Sequence, residues 1–306
     1  MNLSRAIKGL LLSLVFLGFF VYMIFGLQWV FDNFSQSQNK TVFLGSVSDN
    51  FRDFNLENVT GGTVLIQGVV PEIRAKAAIS VESNSYGEKK IIFEKDSDAR
   101  LPIASLTKLM TAVIVLDNYD LSDTITVNEV ADSQESVRQD VKLGDTMPVE
   151  SFLDIMLVGS SNKSAYALSE KIGEQKFIGL MNQKAKDMGL DNTFFADSTG
   201  LSSRNVSTAR DLIKLAEHIL REYPKIANIS KVKDFYVPNF GKVENTDQLL
   251  SEMPEAICSK TGFTDAAKGC LLLVVDSPKN NGYLINVILG SDDRFAEMKK
   301  LINFCE

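Results

Sequence analysis

The chain of 306 residues holds one histidine, His218. So little histidine removes the commonest general base from most of the molecule. His218 lies in ARDLIKLAEHIL, which has helical periodicity, and reads as an ordinary residue of an amphipathic helix. A Ser-His-Asp triad is therefore not expected. Cysteine is also scarce: Cys258, Cys270 and Cys305 are scattered without metal-ligand spacing. An oxidising compartment permits a disulfide, but an odd number leaves at least one thiol free or paired between chains. Buried small hydrophobes are the simpler reading. A basic surplus is missing too: the net charge of −7 argues against a nucleic-acid partner. Composition is otherwise that of a globular protein, 45% hydrophobic and 23% charged. The length allows one large domain or two small ones.

Charge is absent from Gly9 to Phe31, a run that includes LLLSLVFLGFFVYMIFGL. About 20 apolar residues span a bilayer. Arg5 and Lys8 precede the run and Asp32 follows it, so the positive-inside rule puts the N-terminus in the cytoplasm and the rest outside. The run is long for a cleaved signal peptide and no A-x-A-like site follows it. The expected organisation is a cytoplasmic tail at 1–8, a single transmembrane anchor at 9–31, an extracytoplasmic stalk at 32–70 with one short strand in TVLIQGVV, and a catalytic domain at 71–306.

In that domain, AKAAISVES and KKIIFEKD read as strands of an antiparallel hairpin. A helical middle follows. It includes a helix that begins near Pro148 and ends at Gly159, a turn that carries Asn162, and a helix from Lys163 to Ile172. Strand-like runs return at DFYVPNF, AICSKTGFT, GCLLLVVDS and GYLINVILG, and RFAEMKKLINFC closes the chain as a helix. Strands at both ends around a helical middle predict an α+β fold: one antiparallel sheet built from both ends, flanked by helices, with an inserted helical lobe.

The chemistry concentrates in LPIASLTKLMTAVIVL. Ser105 is expected in the first turn of a helix that is apolar almost all round, hence a core helix. The i, i+3 spacing puts Lys108 on the same face one turn on, where a lysine can take the proton of a serine nucleophile. For that its pKa must fall from about 10.4 toward neutrality, which burial and neighbouring positive charge both favour. S-x-x-K occurs four times, at Ser37, Ser105, Ser160 and Ser230, and among these the match at Ser105 lies in a deeply apolar helix. Two tripeptides accompany it. Ser160-Ser161-Asn162 sits in a turn between helices, where helix capping would also explain it. Lys260-Thr261-Gly262 sits in a strand, where a lysine guarding an exposed edge would also explain it.

Together and in this order, these motifs resemble the set S-x-x-K, S-D-N and K-T-G that marks class A β-lactamases and penicillin-binding proteins. PIASLTKLMTA, Leu143–Asp145, ALSEKI, STARDL and SKTGFT extend the likeness over about Pro71 to Glu306. The chain resembles the penicillin-binding, serine-type D-Ala-D-Ala carboxypeptidase family, of β-lactamase/transpeptidase-like fold. The resemblance implies that Ser105 attacks the penultimate D-Ala carbonyl of a peptidoglycan stem peptide and forms an acyl-enzyme, with β-lactams as acylating partners. Lys108 would be the base. Ser160 would relay a proton between Lys108 and Lys260, and Asn162 would orient Lys108 and the substrate amide. Lys260 and Thr261 would bind the terminal carboxylate. Gly262 would admit the substrate backbone, and the backbone N–H groups of Ser105 and Phe263 would form the oxyanion hole. No cofactor or metal is implied, since the site has neither clustered histidine nor paired carboxylates. The chain departs from the family pattern at Ser161 (often Gly), Lys163 (often acidic) and Lys268 (usually Gly, here one place late at Gly269). An endopeptidase shares all three motifs. A β-lactamase of class A uses a Glu-activated water, and FFADSTGLSSRN offers no Glu in that setting. A receptor that only binds peptidoglycan or senses β-lactams is the non-catalytic alternative.

Overall fold

A computed structural model of the chain describes residues 70–305 apart from 85–87, 137–139, 239 and 278–281. These residues belong to the compact unit Ile66–Glu306. The expected tail, anchor and stalk lie outside the described residues. Among the described residues no helix is long and apolar enough to cross a membrane.

The described residues open with β1 (Ala77–Asn84) and β2 (Lys89–Lys95), the expected hairpin. The middle contains β3 (Leu101–Pro102), α1 (Thr107–Asn118), β4 (Thr124–Thr126), α2 (Glu129–Asp132), β5 (Thr146–Pro148), α3 (Val149–Val158), α4 (Asn162–Glu170), α5 (Glu174–Asp187), β6 (Val206–Ser207), α6 (Ala209–Glu222) and α7 (Pro224–Ser230). Then come β7 (Asp234–Val237), β8 (Gly241–Glu244), β9 (Ala256–Thr264), β10 (Lys268–Ser277), β11 (Gly282–Ser291) and α8 (Arg294–Cys305). Five strands form one antiparallel sheet in the order β2-β1-β11-β10-β9. The two chain ends thus build a single sheet, and β9 is its edge. DFYVPNF does not join that sheet. β7 pairs with β8 in a separate two-stranded ribbon, and Phe240 N–H closes back on the Val237 carbonyl at 3.1 Å.

Strands β1, β10 and β11 are buried on both faces and read as nearly continuous apolar runs, while the edge strand β2 is largely exposed. Along β10 the side chains alternate: Cys270, Leu272 and Val274 face the core shared with the helical lobe, while Leu271, Leu273 and Val275 face a second core with Met298, Leu301 and Ile302 of α8. α1 runs through the first core. Its residues from Thr107 to Val115 are all buried. Four of these nine are β-branched besides Thr107 itself being so, which disfavours an isolated helix; tertiary burial holds it. Each buried Leu or Ile there contributes about 1.5–3 kcal/mol. The helix stops where Tyr119 turns extended and donates its N–H to the Val115 carbonyl at 3.0 Å.

Candidate active site

Ser105 lies two residues before α1, in a short 3-10 turn, Ala104–Leu106, that leads into the helix. Ala104 adopts φ +47°, a left-handed conformation that costs an L-residue about 1–2 kcal/mol. Two glycines hold this bend from outside. A Cβ on Gly200 (φ +90°) would meet the Ala104 carbonyl oxygen at 2.1 Å, and one on Gly262 would meet the Ser105 nitrogen at 2.9 Å. The bare Gly262 therefore lets β9 close onto the backbone of Ser105, a reason the sequence did not suggest. From α1, Lys108 turns back under Ser105, with Nζ 3.0 Å from Ser105 Oγ. The ammonium also reaches Asn162 Oδ1 and the Thr199 carbonyl, each at 2.6 Å.

The second tripeptide occupies the break between α3 and α4. Ser160 sits at φ +61°. Ser161 caps α4, its Oγ accepting from Ser164 N at 2.8 Å and donating to Asp140. Asn162 is thus the first residue of the helix, one place earlier than expected. Its Nδ2 donates to the Glu135 carbonyl at 2.7 Å, which leaves Oδ1 to face Lys108. Lys260 arrives from edge strand β9 but is no exposed guard: it is 2% accessible, with Nζ 2.9 Å from Ser160 Oγ. Beside it Thr261 Oγ1 pairs with Thr246 Oγ1 at 2.5 Å. Phe263 follows on the same strand with its ring exposed. The geometry thus joins Ser105–Lys108–Asn162 on one side and Lys260–Ser160 on the other.

Two buried amines in one site are electrostatically expensive, and both lose basicity. Burial pushes Lys108 down to about 7, while Asp197 and Asp140 pull the other way. Lys260 lies well below the usual lysine range, chiefly through burial, then through repulsion from Lys108 and Arg294, with Asp247 opposing. A lysine near 7 is able to take a hydroxyl proton at neutral pH. Neighbouring Arg294 supplies positive potential, and Lys260 gains its charge most readily where an anion docks beside it.

The sequence model of peptidase family S11, D-alanyl-D-alanine carboxypeptidase, matches residues 66–293. The chain belongs to this family. It is 34% identical over 247 residues to the D-alanyl-D-alanine endopeptidase of Escherichia coli K12, covering 77% of this chain and 78% of that protein. It is 31% identical over 245 residues to the D-alanyl-D-alanine carboxypeptidase DacF of Bacillus subtilis 168, covering 75% of this chain and 61% of the relative. Among solved structures, penicillin-binding protein D2 of Listeria monocytogenes, in its cefotaxime-bound form, superposes with a TM-score of 0.67 at 26% identity, over 77% of this chain and 99% of that one. The α+β penicillin-binding, transpeptidase-like fold expected from the motifs is the fold observed.

In this S11 peptidase several residues near the reacting groups escaped the sequence reading. Asp197 builds the turn that presents the Thr199 carbonyl to Lys108: its carboxylate accepts from Thr199 N (2.8 Å), Gly200 N (2.6 Å) and Ser202 N (2.8 Å). The D-S-T-G run carries the signature of an Asx-type turn, though nothing in it names a partner 91 positions away. Arg294, the first residue of α8, donates Nη1 to the Gly262 carbonyl at 3.2 Å, and its buried Nε has no partner among the described residues. Asp140 supports Ser161. His218 lies in α6, where Nδ1 faces Arg221 Nη2 at 3.4 Å and the ring packs 5.5 Å from Tyr223. Lys163 pairs with Asp132 at 2.7 Å. Lys268, at the usual Gly position of the family pattern, adopts φ +57°, the conformation that favours glycine.

Proposed function

We propose that this S11 peptidase is a serine-type D-Ala-D-Ala carboxypeptidase that removes the terminal D-Ala of peptidoglycan stem peptides. The observation that carries the reading is the 3.0 Å approach of a deeply buried, weakly basic Lys108 to Ser105 Oγ. Lys108 takes the hydroxyl proton as Oγ attacks the penultimate D-Ala carbonyl, a contribution of roughly 10²–10⁴ in rate. The backbone N–H groups of Ser105 and Phe263 receive the developing oxyanion, each such donor being worth about 10²–10³. Ser160, bonded to Lys260, passes a proton to the leaving amine. D-Ala departs, and water releases the shortened peptide from Ser105. Asn162 orients Lys108 and the substrate amide. Lys260, Thr261 and Arg294 hold the terminal carboxylate, and Gly262 keeps the approach to β9 open. The same serine is acylated by β-lactams; the cefotaxime-bound relative supports this. The apolar run at 9–31 supports a single-pass anchor in the cell membrane, with the tail 1–8 cytoplasmic and the domain from 71 held outside by a stalk at 32–70.

Time-resolved intact mass of the full chain with penicillin tests the nucleophile. A stable adduct on Ser105 that disappears in Ser105→Ala, with the fold unchanged, is expected; a labelled Ser105→Ala protein would sink the assignment. An adduct that vanishes quickly while hydrolysed penicillin accumulates would instead indicate a β-lactamase. The 34% identity to an endopeptidase favours one second reading, cleavage of D-Ala crosslinks. A crosslinked dimeric muropeptide and a monomeric pentapeptide, offered in competition, separate the two by which is consumed.

A further inference from the structure

Behind the break that carries Ser160, α3, α7 and β7 enclose a groove of about 490 Å³, a volume suited to a small organic ligand. Val158, Ile229, Val232 and Phe235 make its walls apolar. Asp154 and Asn228 bring polar groups into it, and Lys225 stands at the side. Asp154 and Lys225 form no ion pair among the described residues, although Lys225 attracts the Asp154 carboxylate at longer range. Lys225 is engaged by Glu150, one turn ahead of Asp154 on α3. The half-buried Asp154 carboxyl has no hydrogen-bond partner among the described residues. Burial, and then the charge of Glu150, push it up to about 6, with Lys225 opposing. An acidic group in apolar surroundings and without a donor is costly, and a ligand that brings a charged donor removes that cost. With Glu150 and Asp154 against Lys225, the local balance is one negative charge, which favours a cation.

We propose that this groove binds small organic cations, an amine or amidine on a compact apolar body, with Asp154 as the counter-ion and Asn228 as a second polar contact. The apolar body lies against Ile229, Val232 and Phe235. The floor is continuous with the active site: Val158 stands two residues before Ser160, and its carbonyl accepts from Thr246 N at 3.2 Å, whose hydroxyl pairs with Thr261. A ligand here therefore packs on the backbone that positions the second and third motifs.

The test uses the full chain in a non-ionic detergent with Ile and Val methyl groups labelled for NMR. Phenethylamine is titrated against 2-phenylethanol, its uncharged counterpart. Phenethylamine should shift the Val158, Ile229 and Val232 methyls saturably, and 2-phenylethanol should bind about tenfold more weakly or worse, as the loss of a charge-assisted contact predicts. Asp154→Asn should bring the amine down to the alcohol's level while methyls outside the groove keep their positions. Val232→Phe, which fills the groove and spares Asp154, should abolish binding of both. Equal binding of amine and alcohol, an unchanged titration in Asp154→Asn, shifts confined to other regions, or no shift up to the millimolar range would each overturn the proposal. Binding is read without turnover, so the outcome is independent of the peptidase reading.

Discussion

Three neutral oxygens surround Lys108 Nζ: Ser105 Oγ, Asn162 Oδ1 and the Thr199 carbonyl. A neutral amine has two N–H donors and one lone pair. Asn162 and Thr199 hold the two short contacts, so in the neutral form the lone pair is left for the Ser105 hydroxyl. In the proposed mechanism neutral Lys108 is the active species, and its proton affinity sets the pH dependence. With the pKa lowered to about 7, acylation of Ser105 by penicillin should rise with pH up to that point and level off above it. Well below 7 it should fall about tenfold per pH unit. Asn162→Asp puts a carboxylate in place of the amide oxygen at 2.6 Å. It should move the rising limb alkaline by about 1–3 units. Pseudo-first-order labelling between pH 5 and 9 checks both, and a flat profile would count against Lys108 as base. Lys260 has a different proposed role. Lys260→Ala should lower kcat/KM for D-Ala-D-Ala peptides far more than for analogues amidated at the C-terminus. Arg294→Gln should go the same way less steeply, since its guanidinium stands on the Gly262 carbonyl beside the carboxylate pocket. Equal losses on acid and amide would remove the carboxylate role.

At the scale of elements, the active site is a meeting of one turn, one helix and one edge strand, and glycine sets the spacing. Gly200→Ala adds a Cβ within 2.1 Å of the Ala104 carbonyl oxygen at φ +90°. It should cost about 2 kcal/mol or more in urea unfolding and slow acylation, because the displaced backbone carries the Ser105 nitrogen. Gly179→Ala is the contrast. That glycine lies in α5 with nothing within 4 Å of the added carbon, and the change should stabilise by about 0.5–1 kcal/mol with acylation unchanged. If both variants behaved alike, the close approach at Gly200 would not be holding the turn. The same contrast separates what is readable in the sequence from what is not. Ser105 and Lys108 were legible because helical spacing alone brings them together. The β1–β2 hairpin and the sheet strands β9 to β11 were legible from apolar runs and turn residues. Asp197, Thr199 and Arg294 were not, because their partners come from other elements and no local pattern records a contact across 91 or 32 positions. β7 was misplaced for a related reason: four residues of strand chemistry do not say which edge they will join. The capping reading of the second tripeptide holds at Ser161, which caps α4 between Ser160 and Asn162.

Across the whole molecule, one carboxylate ties the end of the chain to the beginning of the domain. Glu297 of α8 is 5% accessible and, among the described residues, is held by backbone N–H groups and a hydroxyl and not by a cation. It accepts from the backbone N–H of Arg74 (2.5 Å) and Ala75 (3.0 Å), just before β1, and from Ser291 Oγ (2.5 Å) at the end of β11. β1 and β11 are neighbours in the central sheet, so this junction closes the fold where its first and last segments meet. Such closure bears on function because β9, two strands away, must stay fixed relative to the Ser105 turn. Glu297→Ala strands two backbone donors and a hydroxyl in a buried place, at a cost of about 1–3 kcal/mol for each group that water cannot reach. Stability should fall by about 3 kcal/mol or more in denaturant unfolding. Glu297→Gln keeps one acceptor oxygen but adds a donor facing other donors, and should recover only part of the loss. Neither variant touches Ser105, Lys108 or Lys260, so the folded fraction should label with penicillin at the rate of the unaltered protein. A slowed rate in fully folded Glu297→Gln would mean that the junction also sets the geometry of β9, and that the sheet transmits strain from its far side to the nucleophile.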